Sequence, residues 1–498
     1  MGENNTTSEN PNIPHIAVCP SAGMAHLLPY LRVSSMLASS NCRVTLMTIQ
    51  PTLSTAESTQ ISSFLATHPH IHSLNAQLPT QRISSTTPNL NDASITSNPT
   101  ASPDPFFVRY SAVSESSHVL ADYLITLNPK PTAILCDIMF VKGFHQALSH
   151  LNIPIYVIPI TSTRFFAFAT YFSHLEKSIS DVEGNELVIG SSMTPIAKSS
   201  IPPPFFNLNH IFTKLIVANS SWLHKCQGIV SYSFEYLENE TLSSLRDDKS
   251  SLSYLPPIFT IGPLKQIFDH TKEKEIKGNG ESEYPSYLGW LDEQESKSIV
   301  YVNFGSRTAM SKEQIRELGN GLVMSGVKFL WVVKTSVVDN QDKEDLKDVL
   351  GEDFLEKINE GKKGLILKQW VDQDCVLVHP AVGGFLTHCG WNSITEAAKC
   401  GVPLLGWPLH GDQRVNAEVV ESSGLGVWVR EWGWINERLV KKEEIGKMVK
   451  EVMMNEGLKE SARRVGEEAS KAWEGGIGSS SLMFSKLIQD MSSKMKNV

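Results

Sequence analysis

Residues 384 to 393 read GFLTHCGWNS, an apolar run that breaks at a histidine and a glycine. The run begins like a buried strand. Asn392 and Ser393 then begin a short helix, for which Gly401 and Pro403 are the stop signals. A strand, a tight turn and a helix start form a βα corner, where free backbone N–H groups and the helix dipole favour an anion. The segment therefore predicts an anion-binding site at this corner.

A histidine and an aspartate occupy similar corners in the N-terminal half. The apolar run HIAVC ends at Cys19 and is followed by PSAGMAH, which places His26 where a helix should begin. The run TAILC ends at Cys136, directly before Asp137. Histidine can take a proton from a reacting group near neutral pH, and an acid at a strand end suits the orientation of such a histidine. Taken alone, a histidine such as His26 is more often a surface or cap residue, and Asp137 could be a simple turn or cap residue.

Near-continuous apolar segments alternate with helix-like stretches, which is typical of parallel sheets covered on both faces. In the first half the predicted strands are 15–19, 43–49, 132–136, 153–160, 228–233 and 258–262. In the second half they are 298–304, 328–333, 364–370, 382–387, 402–407 and 426–429. The pattern predicts an α/β protein with two doubly wound, Rossmann-like domains facing a cleft. Because ligands bind such sheets at the carboxyl ends of the strands, the loops around 20–26, 304–311 and 387–393 should point into that cleft.

The predicted domain limits follow from changes in composition. A polar tail at 1–12 should be disordered, and an N-terminal domain should span 13–264. A linker at 265–287 contains the charged run HTKEKEIKGNGESE, and a C-terminal domain should span 288–472. Residues 473–498 should form a helix that returns to the N-terminal domain.

Two smaller features are interpreted locally. Ser311 and Gln314 fit a capping box for the helix after the 298–304 strand. The stretch 79–105 is rich in Ser, Thr, Pro and Asn, which is typical of a functional rim or a disordered loop.

Charge and composition exclude several classes of protein. With 44 basic against 53 acidic residues and no dense basic stripe, the chain lacks the electrostatic pattern of a nucleic-acid binder. The N-terminus lacks the basic and apolar regions of a secretory signal, and no apolar run approaches the roughly 18 residues of a membrane helix. The seven cysteines show no CxxC pair or zinc spacing, which is typical of free thiols in a reducing compartment. We therefore expect a cytoplasmic monomer that binds neither nucleic acid nor membrane.

The chain from Trp370 to Gln413 reads WVDQDCVLVHPAVGGFLTHCGWNSITEAAKCGVPLLGWPLHGDQ. In length and at nearly every diagnostic position it resembles the nucleotide-sugar box of plant UDP-dependent glycosyltransferases of secondary metabolism, glycosyltransferase family 1. The likeness extends to PSAGMAHLLP, SFEYLE, IGPL, WLDEQ and YVNFGSRTAM. It implies a GT-B fold, an acceptor-binding N-terminal domain and a UDP-sugar-binding C-terminal domain.

The resemblance implies a donor site built largely from this box. Trp370 would stack on uracil, with the backbone of Val371 and the amide of Gln373 completing the contact. Glu396, on the same helix face as Asn392, would accept hydrogen bonds from both ribose hydroxyls. The predicted anion would be a diphosphate. The remaining donor residues implied are Ser306, His388, Asn392 and Ser393 at the diphosphate, and Trp391, Asp412 and Gln413 at the sugar.

Several of these residues have a plainer interpretation. Trp370 could be a core tryptophan, Glu396 a solvated helix charge, and Ser393 an N-cap. Gln413 at the last box position resembles the members of the family that use glucose.

The triplet Asp372-Gln373-Asp374 departs from the box, which usually has proline at 372. A D-x-D triplet can ligate Mg²⁺ or Mn²⁺ in a different class of glycosyltransferase. Here the triplet lies inside the implied uracil-binding turn. We therefore expect no metal and no cofactor, with UDP-glucose as a co-substrate.

By the same resemblance His26 is the general base and Asp137 orients it. A single displacement would invert the anomeric centre and give a β-glycoside. The runs DPFF, PSAGMAHL and GSRTAMS and the order Asp137-Ile138 resemble the flavonoid C-glycosyltransferase subgroup. The aromatic stretches 162–174 and 201–212 would suit a planar phenolic acceptor, although such stretches are more often core.

The expected function is therefore inverting transfer of glucose from UDP-glucose to a flavonoid or related polyphenol, forming a β-C-glucoside. A deprotonated phenol spreads charge onto its ortho carbons, and the positioning of the acceptor decides between carbon and oxygen as the nucleophile. O-glucosylation of a phenolic hydroxyl is the alternative. The presence of His26 and Asp137 disfavours a non-catalytic UDP-sugar or phenolic binding protein. No G-x-G-x-x-G follows a strand, which disfavours a dehydrogenase, and a UDP-sugar epimerase would turn over donor without an acceptor.

Overall fold

The computed structural model describes most of the chain. The described residues are 13–78, 105–175, 177–190, 193–247, 251–267, 275–276, 282–306, 308–335 and 344–493. The predicted tail 1–12, nearly all of the loose stretch 79–105 and much of the predicted linker lie outside these residues.

The first half of the chain forms a seven-stranded parallel sheet. Its strands and one separate antiparallel pair are β1 (His15–Cys19), β2 (Arg43–Gln50), β3 (His72–Gln77), β4 (Ala133–Cys136), β5 (Ile155–Val157), β6 (Glu186–Leu187), β7 (Ile196–Ala197), β8 (Gly228–Ser231) and β9 (Ile258–Thr260). The order across the sheet is β3-β2-β1-β4-β5-β8-β9, and β6 pairs with β7. All six predicted strands of this half are present, within a few residues at their ends. The sequence did not predict β3, because HSLNAQ is a largely exposed edge strand with a single buried side chain.

The second half forms a six-stranded parallel sheet. The strands are the antiparallel pair β10 (Glu275–Ile276) and β11 (Ser282–Glu283), followed by β12 (Ile299–Asn303), β13 (Lys328–Val332), β14 (Gly364–Leu367), β15 (Val382–Thr387), β16 (Leu404–Gly406) and β17 (Gly426–Trp428). The order across the sheet is β14-β13-β12-β15-β16-β17. Each of the six predicted strands of this half is present.

Helices connect the parallel strands and cover the sheets. They are α1 (Met24–Ala38), α2 (Thr55–Thr67), α3 (Pro105–Glu115), α4 (Ser117–Ile125), α5 (Val141–Leu148), α6 (Thr163–Phe172), α7 (Ile211–Ser220), α8 (Asn239–Arg246), α9 (Ser286–Asp292), α10 (Lys312–Ser325), α11 (Leu346–Leu350), α12 (Glu352–Glu360), α13 (Gln373–Val378), α14 (Trp391–Cys400), α15 (Gln413–Ser422), α16 (Lys442–Met454), α17 (Glu456–Ala472) and α18 (Ser479–Ser493).

Both faces of each sheet are buried at the central strands, as the continuous apolar runs predict. In β1, Ile16 and Val18 pack into one apolar cluster, while Ala17 and Cys19 pack into another. Successive strand residues point to opposite faces, so the two clusters lie on the two sides of the sheet. The predicted class, two doubly wound α/β domains, is confirmed.

The strand order places two crevices where the sequence expected functional loops. In the first sheet the order reverses between β1 and β4, and in the second between β12 and β15. At such switch points the following connections run to opposite faces and leave an opening at the carboxyl ends of the strands. His26 and Asp137 follow β1 and β4, whereas the loops after β12 and β15 carry Ser306 and His388.

The chain returns to the first sheet at its C-terminal end. Helix α18 packs against β9, and the Tyr156 hydroxyl donates to Asp490 at 2.6 Å. Trp473 donates its indole N–H to the carbonyl of Pro263 at 2.7 Å, and Ser480 donates to the carbonyl of Gly262. The last helix therefore completes the packing of the first domain.

Two general properties bear on the sequence expectations. All seven cysteines are free thiols, and five of them are buried. Within the described ranges, none of the helices has the length and apolarity needed to cross a membrane.

Candidate functional site

His26 and Asp137 form a hydrogen-bonded pair at the switch point of the first sheet. His26 Nδ1 lies 2.7 Å from Asp137 Oδ2. The Asp137 side chain is 2% exposed and that of His26 is 16% exposed, so the acid is sealed while the imidazole reaches the cleft. Asp137 also accepts from the backbone N–H of Met139 and so caps the 3₁₀ turn Ile138–Phe140. Asp137 is therefore both a cap residue and the hydrogen-bond partner of His26, as the two interpretations of the sequence proposed.

Two further side chains hold this pair, and the sequence did not single out either of them. Ser21 donates its hydroxyl to Asp137 Oδ2 at 2.8 Å and lies 3.1 Å from His26 Nδ1. Tyr110, on α3, donates its hydroxyl to Asp137 Oδ1 at 3.5 Å, and its ring meets that of His26 edge-on at 5.5 Å between centroids. Ser21 lies in the quoted loop PSAGMAH, whereas nothing local to Tyr110 signals its distant partners.

The loop before His26 is anchored by a buried acid on another helix. Gly23, with φ +109°, precedes α1, and its N–H donates to Glu57 Oε1 at 2.7 Å. The other Glu57 oxygen accepts from the N–H and hydroxyl of Ser54, in a capping box at the start of α2. The motif Ser54-Thr55-Ala56-Glu57 could have been found in the sequence as a capping box, but its bond to Gly23 could not.

The predicted anion corner lies at the end of β15. Cys389 takes φ +64° between the strand and α14, a conformation that is uncommon for a residue other than glycine. A Cβ atom on Gly305 would lie 2.8 Å from the His388 ring, and one on Gly390 would lie 2.5 Å from His388 Nε2. The His388 ring therefore lies between two glycine turns, in a space that those glycines keep open.

His388 carries no charge in this environment at neutral pH. Burial, reinforced by the nearby His410, lowers the pKa of His388 to about 3. A neutral imidazole can still donate one hydrogen bond to a phosphate oxygen.

Helix α14 begins one residue earlier than predicted, at Trp391, with Gly390 as its N-cap. The N-cap interpretation of Ser393 is therefore wrong. The Ser393 hydroxyl instead accepts from Gln373 Nε2 at 3.0 Å. The N–H groups of the first turn of α14 lack intrahelical acceptors, as in any helix, and lie beside His388.

The residues expected at the nucleoside differ clearly in exposure. Trp370 is 57% exposed, so it is not a core tryptophan and its ring is available for stacking. Glu396 is 5% exposed, so it is not a solvated helix charge. Val371 is buried at the end of the same loop. The plainer interpretations of Trp370 and Glu396 are therefore wrong.

Gln373 lies beside Glu396, and its amide is used within the protein. Its Nε2 donates to Glu396 Oε2 at 2.7 Å and to Ser393, while its Oε1 accepts from Asn303 Nδ2 at 2.9 Å. Both amide hydrogens therefore have protein acceptors. The expected contact of this amide with uracil would require one of those bonds to open.

The sugar-side residues are more deeply buried than their implied roles suggest. Trp391 is 3% exposed, and among the described residues its indole N–H has no partner. Gln413 is 4% exposed, and its Oε1 accepts from the backbone N–H groups of Leu409 and His410. Asp412 accepts from Thr161 and from Asn416 Nδ2, and burial raises the pKa of its carboxyl. The Gln413 side chain therefore holds the loop that precedes α15.

Contacts across the cleft bring the donor corner to the His26 loop. Asn392 Nδ2 donates to the carbonyl of Ala25 at 2.9 Å, and Asn392 Oδ1 accepts from the Tyr232 hydroxyl at 3.0 Å. Thr161 of the first half of the chain also donates to Asp412 of the second half. The two switch points therefore face each other. Asn392 contacts Ala25, which is the neighbour of His26 in the chain.

Three further expectations are corrected or located. Ser311 caps α10, but the Gln314 side chain bonds to both backbone groups of Val440, so the predicted capping box is incomplete. Ser306 lies in the glycine turn directly after Gly305. Most phenylalanines of the two aromatic stretches, including Phe168 and Phe205, pack on one another in the core.

The acids of the D-x-D triplet each have a protein partner. Asp372 accepts from the backbone N–H of Cys375 and caps α13. Asp374 accepts from Arg32 Nη2 at 2.7 Å. Asp372, where the box usually has proline, therefore serves as a helix cap.

Comparison with known proteins extends over both sheets. Residues 283–467 match the family described as UDP-glucoronosyl and UDP-glucosyl transferase. The chain is 44% identical to UDP-glycosyltransferase 708C2 of Fagopyrum esculentum, over 96% of this chain and 95% of that relative. The crystal structure of LpCGTa in complex with UDP matches with a TM-score of 0.80 at 34% identity, over 96% of this chain and 99% of that one. The structure of Medicago truncatula UGT71G1 complexed with UDP-glucose matches with a TM-score of 0.78 at 26% identity, over 97% and 100%.

Proposed function

The chain belongs to the UDP-glucoronosyl and UDP-glucosyl transferase family of UDP-sugar glycosyltransferases, and we propose that it transfers glucose to a carbon of a flavonoid or related polyphenol. The product is a β-C-glucoside, formed with inversion and with His26 as the general base. The observation that carries this proposal is the 2.7 Å bond between His26 Nδ1 and Asp137, directly across the cleft from the donor corner.

The donor is held by the C-terminal domain. Trp370 stacks on uracil, Glu396 accepts from the ribose, and the first turn of α14 with His388 and Ser306 binds the diphosphate. The neutral state of His388 and the buried helix start suit an anion through hydrogen bonds and the helix dipole rather than through a full positive charge. A solved relative in complex with UDP-glucose supports glucose as the sugar.

The reaction begins with the acceptor. Asp137 holds Nδ1, so Nε2 of His26 takes the phenolic proton, and charge spreads to the ortho carbon of the phenolate. That carbon bonds to the anomeric carbon as the C–O bond to UDP breaks, and UDP leaves with the bonding electrons on the opposite face. Loss of the proton from the attacked ring carbon to water restores the aromatic ring as a phenolate, which takes back the proton held by His26.

The choice of carbon over oxygen rests on how the acceptor is held. Tyr110 stands edge-on to His26, and Phe212 stacks against Tyr110 at 6.5 Å between ring centroids. Tyr110 is 3% exposed, so this pair of rings packs behind the base and fixes the shape of the acceptor side instead of offering an open face. The name of LpCGTa, which carries the abbreviation for C-glycosyltransferase, supports carbon as the nucleophile. O-glucosylation is the competing outcome.

The proposal needs no metal ion. Asp372 and Asp374, the pair with the spacing of a metal motif, are engaged by Cys375 and Arg32. Turnover is therefore expected to persist in EDTA, and loss of activity that Mg²⁺ or Mn²⁺ restores would contradict this.

The deciding experiment analyses the product. The purified protein is incubated with UDP-glucose alone and then with a phloretin-like or flavonoid acceptor, and the product is treated with acid before mass spectrometry. A hexose that survives acid is carbon-linked, whereas free hexose would show an O-glucoside. Conversion of UDP-glucose without acceptor would indicate an epimerase.

A further inference from the structure

Arg32 joins the two domains beneath the cleft. It lies on α1, six residues after His26, and is 9% exposed. Its Nη2 donates to Glu396 Oε1 and to Asp374 Oδ2, both at 2.7 Å. Arg32 belongs to the first domain and the two acids belong to the second, so these ion pairs cross between the domains.

The ion pair with Arg32 favours the ionised form of the Glu396 carboxylate. Burial raises the pKa of Glu396, and Arg32 opposes that effect by favouring the charged form. A buried carboxylate accepts strong hydrogen bonds only if it is ionised, and it stays ionised only beside a compensating cation. Without Arg32, the nearby Asp374 would instead disfavour the charge on Glu396.

Glu396 is also held in one orientation. Arg32 binds Oε1 while Gln373 Nε2 binds Oε2 at 2.7 Å, so the carboxylate is fixed from both sides. Each carboxylate oxygen has two lone pairs, and each therefore retains a second position for a hydroxyl donor. This geometry suits the two adjacent hydroxyls of a ribose.

We propose that Arg32 is a positioning residue for the nucleotide, which fixes the Glu396 carboxylate for the ribose hydroxyls and links that recognition to the helix carrying the base. The inference rests on the donor site proposed above and adds to it a residue of the opposite domain. Arg32 and His26 are about 9 Å apart along the axis of a single helix, because each residue advances an α-helix by about 1.5 Å. A nucleotide that engages Glu396 therefore also holds α1, and with it the loop of the base.

The test measures discrimination between ribose and deoxyribose. UDP and 2′-deoxy-UDP are titrated calorimetrically into the wild-type protein and into Arg32→Met. The wild type should bind UDP about tenfold more tightly, the value of one hydrogen bond to a charged group. In Arg32→Met this ratio should fall to about twofold or less, because the carboxylate is no longer ionised and aligned. A general packing defect would weaken both nucleotides equally and leave the ratio unchanged.

The control removes a comparable arginine from the same interface. Arg164 on α6 is buried and pairs with Glu418 on α15 at 3.0 Å, also between the domains. Arg164→Met should keep the wild-type ratio. If Arg32→Met does not fold, Arg32→Gln should still lower the ratio, because its amide keeps a donor group but carries no charge to keep the Glu396 carboxylate ionised.

The outcomes separate the two proposals. A wild-type ratio in folded Arg32→Met, or in Arg32→Gln where only that variant folds, would overturn the role of Arg32 and leave the donor site standing. Equal affinity of the wild type for UDP and 2′-deoxy-UDP, or no UDP binding, would overturn the placement of the ribose at Glu396, and the Arg32 inference with it.

Discussion

At the scale of single residues, hydrogen bonds hold the buried carboxylate of Asp137 in a single orientation. Its two oxygens receive four donors, from Ser21, Tyr110, the Met139 backbone and His26. Three of these hold the carboxylate in place, so the fourth, the histidine, can point its other nitrogen into the cleft. Such fixed geometry would let the proposed base act on an acceptor without first reorganising.

Asp137→Asn tests the charge in this arrangement. The amide keeps the shape but cannot stabilise a protonated imidazole, so kcat should fall about 10²-fold or more. Steady-state kinetics and UDP titration would measure this, with the affinity for UDP unchanged. Ser21→Ala, which leaves the Asp137–His26 bond in place, should cost about tenfold or less. Equal losses in the two variants would contradict a special role for the charge.

Gly305→Ala tests the space around His388. A Cβ at this position would lie 2.8 Å from the His388 ring and would stand on a backbone with φ +74°. Displacement of the ring should raise the KM for UDP-glucose by about tenfold, the effect of one lost hydrogen bond to a charged group. Gly326→Ala is the matched control, because it has φ +73° but nothing within 4 Å. That change should cost about 1 kcal/mol of stability without altering KM, and an equal rise in KM would show that backbone strain alone is responsible.

At the scale of elements, the position of the first turn of α1 depends on a side chain in the first turn of α2. Glu57 ends the capping box of α2 and also accepts from Gly23, which precedes the helix of His26. The position of His26, the proposed base, therefore depends on α2 through the bond between Glu57 and Gly23.

Glu57→Ala and Ser54→Ala separate these two functions of the capping box. Each should destabilise the protein by about 1 kcal/mol, the usual cost of a lost N-cap. Only Glu57→Ala should also lower kcat, because only this change leaves the Gly23 N–H without its acceptor. Thermal unfolding and kcat measured on the same preparations would show the difference. A comparable loss of kcat in Ser54→Ala would mean that α2 itself, and not the bond to Gly23, positions the base.

The sequence predicts the elements better than their contacts. Buried parallel strands carry a strong local signal, so all twelve predicted strands are present, whereas the exposed edge strand β3 carries none. Gln314 fits a capping box by its spacing, yet its amide pairs with Val440, 126 residues away. Arg32 and Tyr110 were not predicted for the same reason, since their partners lie in other parts of the chain and no local pattern identifies them.

At the scale of the whole molecule, the two domains are joined through buried polar contacts at several points. Arg32, Asn392, Thr161 and Arg164 each bond across the interface. Apolar residues of both domains, such as Tyr30 and Val371, also share one cluster. Loss of either domain would expose several charged side chains, so we expect the domains to unfold together.

Partly buried, neutral histidines in both domains predict that acid destabilises the protein. Burial lowers the pKa of His145 to about 4 and that of His388 to about 3. Above pH 6.5 these histidines are neutral in both the folded and the unfolded chain. Below it the unfolded chain binds protons that the folded one excludes, so the free energy of unfolding falls by up to about 1.4 kcal/mol per pH unit for each histidine, until the folded pKa is reached.

Urea unfolding between pH 7.5 and 5 measures this dependence. His145→Gln should reduce the loss of stability on acidification, and the same change at the exposed His150 should not. An unchanged slope in His145→Gln would show that other groups cause the acid sensitivity.

The return of α18 to the first sheet has a consequence for biosynthesis. The ribosome delivers the strands of that sheet before the whole second sheet, and only afterwards the helix that packs on β9. A growing chain therefore exposes the β9 side of its first domain until α18 has emerged, and a chain cut short before α18 would be damaged in the half of the protein made first.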